Sequence, residues 1–110
     1  MTTFKAAIDI CGLAHKQAAD YFGVSQATIK TWSSGKTPPP IYAWHMLASL
    51  LEQIMTVADR TSANLELSVM NRAEISVVKA NDSSDELPGS AGDAASAMAI
   101  MMAIQANRKR

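Results

Sequence analysis

The side chains best suited to chemistry are Gln26, Ala27, Thr28, Lys30 and Thr31, crowded into the stretch GVSQATIKTWSSGKTPPP at 23–40. A Gln amide can bond the N6 and N7 edge of adenine, the methyl groups of Ala and Thr suit the thymine methyl, and Lys reaches guanine or a phosphate. That is the chemistry of reading a duplex through its major groove, where short side chains permit close approach and surface ion pairs would hinder it. The same residue types also describe an ordinary solvated helix face. The frame that holds them has to distinguish the two.

Such a helix must be short and fixed from behind. Ser25 offers a hydroxyl that can cap a helix over 26–33, and Gly35 closes it. Val24, Ile29 and Trp32 lie on its underside. A preceding helix at 14–22 buries Ala18, Ala19 and Phe22 and ends at Gly23, a turn position whose positive φ costs a residue with a Cβ about 1 kcal/mol or more. Ala19 is small where the two helices cross. Two short helices joined by a glycine-led turn, the second capped by Ser, outline a helix-turn-helix. Ahead of it, a helix starting from Thr2 or Thr3 puts Phe4, Ala7, Ile8 and Cys11 on one face and stops at Gly12. Beyond it, TPPP forces an extended corner, and a long helix begins near Pro40. That helix carries two apolar seams, Ile41, Trp44, Ala48, Leu51, Met55 and Ala58 on one side and Leu47, Leu50, Ile54 and Val57 on the other. Two seams imply two packing partners.

The rear half is less regular. Leu65, Leu67 and Val69 alternate as in a strand, while Leu65, Val69 and Ala73 fit a helix; the helical reading carries the long helix to about residue 71. Glu74, Ile75, Ser76, Val77 and Val78 read as a short β-branched strand. An acidic loop at 80–92 follows, and Asp93 is placed to cap a last helix over 94–107. The chain divides on this reading into a DNA-binding unit at 1–58 and a dimerisation region at 59–110.

The spacing over Phe4 to about Leu51, including SSGKTPPP, resembles the phage Cro/repressor family of XRE-type helix-turn-helix proteins. The resemblance implies a mainly α fold, a four- or five-helix bundle that binds double-stranded operator DNA as a homodimer. It matches Gln26, Ala27 and Thr31 to base-reading positions, with Thr28 and Lys30 on flanking faces of the same surface. Ser25, Ser34 and Lys36 match backbone-phosphate positions, as does the start of the second helix. There the family usually has a Ser or Thr cap followed by Gln, whereas this chain has Ala14 and His15; the lost cap costs about 1 kcal/mol, and His15, Lys16 and Gln17 are left to meet the phosphate. The layout, a front helix-turn-helix and a small rear unit, is similar to that of regulators of phages and other mobile elements, anti-CRISPR-associated repressors among them.

One recognition helix contacts few base pairs, so an inverted repeat read by a two-fold dimer is expected. Three rear elements cannot bury themselves alone and are assigned to that interface: the seam of Leu50, Ile54 and Val57, the strand at 74–78 paired with its own copy, and the terminal helix with Met98, Met101 and Met102. Ten basic residues balance ten acidic ones, yet residues 1–40 carry a small positive excess and 82–93 only acids, so the front end is where a phosphate fits. No paired carboxylates, catalytic triad or phosphate-cradling loop points to an enzyme. No cofactor or metal is expected: His15 and His45 are thirty residues apart, and Cys11 reads as a buried, inert thiol. Trp44 reads as core. The apolar run at 97–104 falls short of the roughly 20 residues of a membrane span, and with a lone Cys and no leader-like opening the expected setting is a bacterial or phage-infected cytoplasm. No small-molecule effector is evident. Two other readings stay open: an antitoxin-like adaptor whose apolar rear half grips another protein, and an excisionase or architectural protein that bends DNA.

Overall fold

The computed structural model describes residues 2–79 and 87–108. Helices α1 (Thr3–Ile10), α2 (His15–Phe22), α3 (Gln26–Ser34) and α4 (Ile41–Ala63) form the front of the molecule, and α5 (Arg72–Ser76) and α6 (Ala91–Arg108) follow a single 3-10 turn at Leu67–Val69. Each front boundary has a local cause. Thr2 accepts from the Lys5 amide and Ser25 from the Thr28 amide, while Gly23 and Gly35 take left-handed conformations as C-caps. Ala14 heads α2 with no side-chain cap of its own.

One core runs through both halves of the chain. Phe4, Ile8, Leu13, Ile29, Leu50 and Ile54 are fully buried, and Leu87, Ala91 and Ala95 belong to the same cluster. The apolar interior is therefore continuous across the boundary expected at residue 58. α6 lies along α4, and its buried stripe of Ala91, Ala95, Ala99 and Ala103 recurs every fourth residue. Small side chains in an i, i+4 row let two helix axes approach closely.

This packing corrects the assigned dimer interface. Leu50, Ile54 and Val57 are 0, 0 and 5% exposed, because α6 of the same chain covers their side of α4. Met98 packs against the core and Met102 is half-buried, leaving Met101 exposed. The terminal helix thus completes its own chain's core, and the seam of Ile41, Ala48 and Met55 is the one that faces outward.

There is also no strand among the described residues. Asn71 accepts from the Glu74 amide at 2.9 Å, and the Glu74 carboxylate reaches back to the Asn71 amide. This reciprocal capping box starts α5 at Arg72, two residues ahead of the segment assigned to the strand, so Glu74, Ile75 and Ser76 are helical, with Val77 as C-cap and Val78 beyond it. Local hydrogen bonds outweigh the β-propensity of Ile75, Val77 and Val78 where the described residues offer no second strand to pair with them. α4 stops at Asn64 instead of continuing to residue 71. α6 begins at Ala91, so Asp93 sits inside its first turn, where a carboxylate suits the positive end of the helix dipole. Of the acidic loop, residues 80–86 lie outside the described residues.

Gly12 and Gly23 share φ = 72° but differ in surroundings. A Cβ on Gly23 would meet nothing within 4 Å, whereas one on Gly12 would lie 2.5 Å from the Ser90 carbonyl oxygen. Replacing Gly23 by Ala should cost about 1 kcal/mol of left-handed strain. Replacing Gly12 by Ala should cost about 2–5 kcal/mol, because the loop before α6 must also move. Denaturant titration followed by circular dichroism checks the order, and a second comparison uses α6: Ala95→Leu should destabilise by about 1–3 kcal/mol through overpacking against α4.

Candidate nucleic-acid interface

α3 is held from behind by its own apolar side. Ile29 is 0% and Trp32 7% exposed, and the Trp32 ring meets Phe4 edge-on at 5.6 Å and Phe22 at 6.1 Å. Thr2 donates its hydroxyl to the Ser33 carbonyl at 2.7 Å, tying the end of α3 to the start of α1. The opposite side carries Gln26, Ala27 and Lys30, all exposed, with Thr28 and Thr31 half-buried beside them. The five residues expected to read bases therefore share one outward surface on a fixed helix. None of them is acidic.

Thr31 donates to the Ala27 carbonyl at 2.8 Å, which holds its side chain in one rotamer. Ser25 Oγ and Thr28 Oγ1 lie 2.9 Å apart; one donates to the other, so one hydroxyl proton of the pair remains for an outside acceptor. Ser34 differs: its single proton goes to the Thr31 carbonyl, and its oxygen faces the Lys36 amide at 3.4 Å. This arrangement folds the SSGK loop over the end of α3 and leaves Ser34 an acceptor, not the phosphate donor expected of it.

At the start of α2 the assignments separate. Lys16 is exposed and remains suited to a phosphate. His15 Nε2 is enclosed and without a hydrogen-bond partner, so that nitrogen is not presented to an anion. Gln17 is turned inward on the chain: its Oε1 accepts from the Ala14 amide at 3.0 Å, and its Nε2 donates to Ser90 Oγ at 3.2 Å. Gln17 thus satisfies the Ala14 amide, the return half of a capping box whose Ser or Thr half is absent, and fastens the helix to the turn before α6. Sequence reasoning missed this role, since its partner lies 73 residues away in a segment with no motif.

The cations of the front end sort in the same way. Lys5 pairs with Asp9 on α1, which leaves Lys16, Lys30 and Lys36 exposed around α2 and α3. Screening by salt is strong at such positions, so their contribution depends on ionic strength. No three metal-ligating side chains cluster among the described residues, and none of their helices is long and apolar enough to cross a membrane. Scanned against protein-family models, curated proteins and solved structures, the chain matches none.

Cys11 sits beneath this frame at 3% exposure, and burial pushes its thiol above the usual range. Burial, and then the nearby Cys11, raise the Tyr21 phenol in the same direction; Tyr21 donates to the Met46 carbonyl at 2.9 Å. Both groups are more easily ionised in the unfolded chain, so their share of stability is complete below the unfolded thiol value of about 8.5 and is lost as pH rises through the raised folded values. A thiol reagent at neutral pH should leave Cys11 unlabelled in the native protein and label it fully in denaturant, as mass spectrometry would record. Melting temperature should fall as pH is raised above that same thiol value.

Proposed function

We propose that the protein is a sequence-specific DNA-binding regulator, a repressor or autoregulator that occupies an inverted-repeat operator as a homodimer. The observation that carries this reading is the outward side of α3. Gln26, Ala27 and Lys30 are exposed, and Thr28 and Thr31 half-exposed, on a capped helix whose other side is locked into the core by Ile29 and Trp32. A helix built to be merely solvated has no need of so rigid a seat, nor of a surface free of carboxylates with Lys16, Lys30 and Lys36 around it. The resemblance to the XRE type supports the same reading. In it Gln26, Ala27 and Thr31 read base edges, Thr28 and Lys30 flank them, and Lys16, Lys36 and the Ser25–Thr28 hydroxyl pair meet phosphates. Gln17 acts through position only, by holding α2 in place.

A second reading has its own observation. Ile75, Val77, Val78, Ala97, Ile100 and Met101 line an apolar groove of about 550 Å³ between α5 and α6, with Val77 70% and Met101 63% exposed. A partner protein gripping that groove is what the adaptor or antitoxin-like reading requires.

Selection of binding sites from randomised duplex DNA tests the first reading. Gln26→Ala should cost about 1–3 kcal/mol at one symmetric pair of base positions and relax the preference there. Lys36→Ala should weaken binding evenly across sequences and lower the salt slope by about one. Equal, weak attachment to every duplex at moderate salt would overturn the reading.

A further inference from the structure

The second copy that an inverted repeat calls for needs a docking face, and the one first assigned to it is filled by α6. The other seam of α4 is open at Ile41, Ala48 and Met55, while Trp44 and Leu51 also pack on their own core and Ala58, at its far end, is buried. Ile41, Trp44, Ala48, Leu51 and Met55 recur at alternating spacings of three and four residues, the a/d repeat of a coiled-coil seam. Ile41 is 72% and Met55 51% exposed; Ala48 is exposed, Trp44 and Leu51 half-buried. Ala48, Leu51 and Met55 line a shallow groove rimmed by Glu52, Thr56 and Asp59.

We propose that this face pairs antiparallel with the same face of a second copy. The proposal rests on the DNA reading for its need of a second copy, but its register comes from α4 alone. With the two-fold axis between Ser49 and Leu50, Ala48 meets the partner's Leu51 and Trp44 meets the partner's Met55, each contact occurring twice. A small residue faces a large one, and a wide ring faces the most adaptable side chain. A parallel pair would set Trp44 on Trp44 and Ala48 on Ala48, a clash beside a void. The rim agrees with the antiparallel register: His45 and Glu52, both exposed on the same flank, fall opposite one another across the axis, so that an imidazole N–H faces a carboxylate on each side. The register also separates the two ends from which α3 hangs. At 1.5 Å per residue the two Ile41 positions stand about 26 Å apart along the pair, a span that the lateral offset of each α3 extends towards the spacing of about 34 Å between successive major-groove half-sites. A parallel pair would bring both reading helices to one end.

Sedimentation of the full chain without DNA tests this. The wild type should be a dimer at micromolar concentration. Ala48→Glu, placing an unpaired charge in the seam, should raise the dissociation constant by roughly a hundredfold or more with helical content unchanged, since Ala48 is exposed in the single chain, while melting loses only its dependence on protein concentration. His45→Asp should weaken the dimer roughly tenfold by facing the partner's Glu52, and adding Glu52→Lys should restore it; that rescue is specific to the antiparallel register. Met101→Glu should leave the dimer intact. A monomeric wild type, a dimer indifferent to Ala48→Glu, failure of the rescue, or a dimer broken by Met101→Glu would each overturn the proposal. A dimer that ignores DNA sequence would refute the DNA reading and leave this interface standing, while a monomer that selects a single half-site would do the reverse.

Discussion

A single ring ties the front of the molecule together. Phe4 on α1 lies 6.0 Å from Phe22 on α2, 5.6 Å from Trp32 on α3 and 6.0 Å from Trp44 on α4, the two tryptophans both meeting it edge-on. Edge-to-face aromatic pairs prefer these separations, and each adds about 0.5–1.5 kcal/mol beyond the area it buries. Because the three partners come from three helices, the ring fixes the angle of α3 relative to α1, α2 and α4 together. The exposed side of α3 owes its rigidity to that cluster.

The parts of this fold that could be read in the sequence are those with local causes. Gly23 stops α2 because only glycine takes that turn freely, Ser25 caps α3 with its own hydroxyl, and Ile29 and Trp32 fall underneath by helical period alone. Each signal spans a few residues. The allocation of the two seams of α4 was not readable, since Leu50 and Leu51 are equally apolar and which one is covered depends on where α6 lands. α6 itself read as a Met-rich cover for a dimer. Its function in the fold comes from four alanines, residues too common to announce a contact.

The strand at 74–78 shows a different limit. Ile75, Val77 and Val78 favour extended structure, yet Asn71 and Glu74 spell a helix start at the same place. Propensity and capping made opposite claims, and the capping box prevailed because a lone strand leaves its backbone groups unpaired. In the candidate site, the exposure of Gln26, Ala27 and Lys30 follows from helical period alone, whereas the surroundings of His15, Gln17 and Ser34 do not. A phosphate position inferred from spacing says where a side chain sits on its helix; it does not say whether a neighbour has already taken its proton.

Gln17 and Ser90 join α2 to the turn before α6, and Leu87 with Ala91 and Ala95 extends the interior begun by Phe4. The front segment is therefore no detachable cartridge. Cut free at residue 58 it would lose the lid on Leu50 and Ile54, and grafted onto another protein it would arrive unfinished. Under the proposed DNA reading, changes of target would have to come by exchanging single side chains on α3, because the front half cannot be swapped as a module.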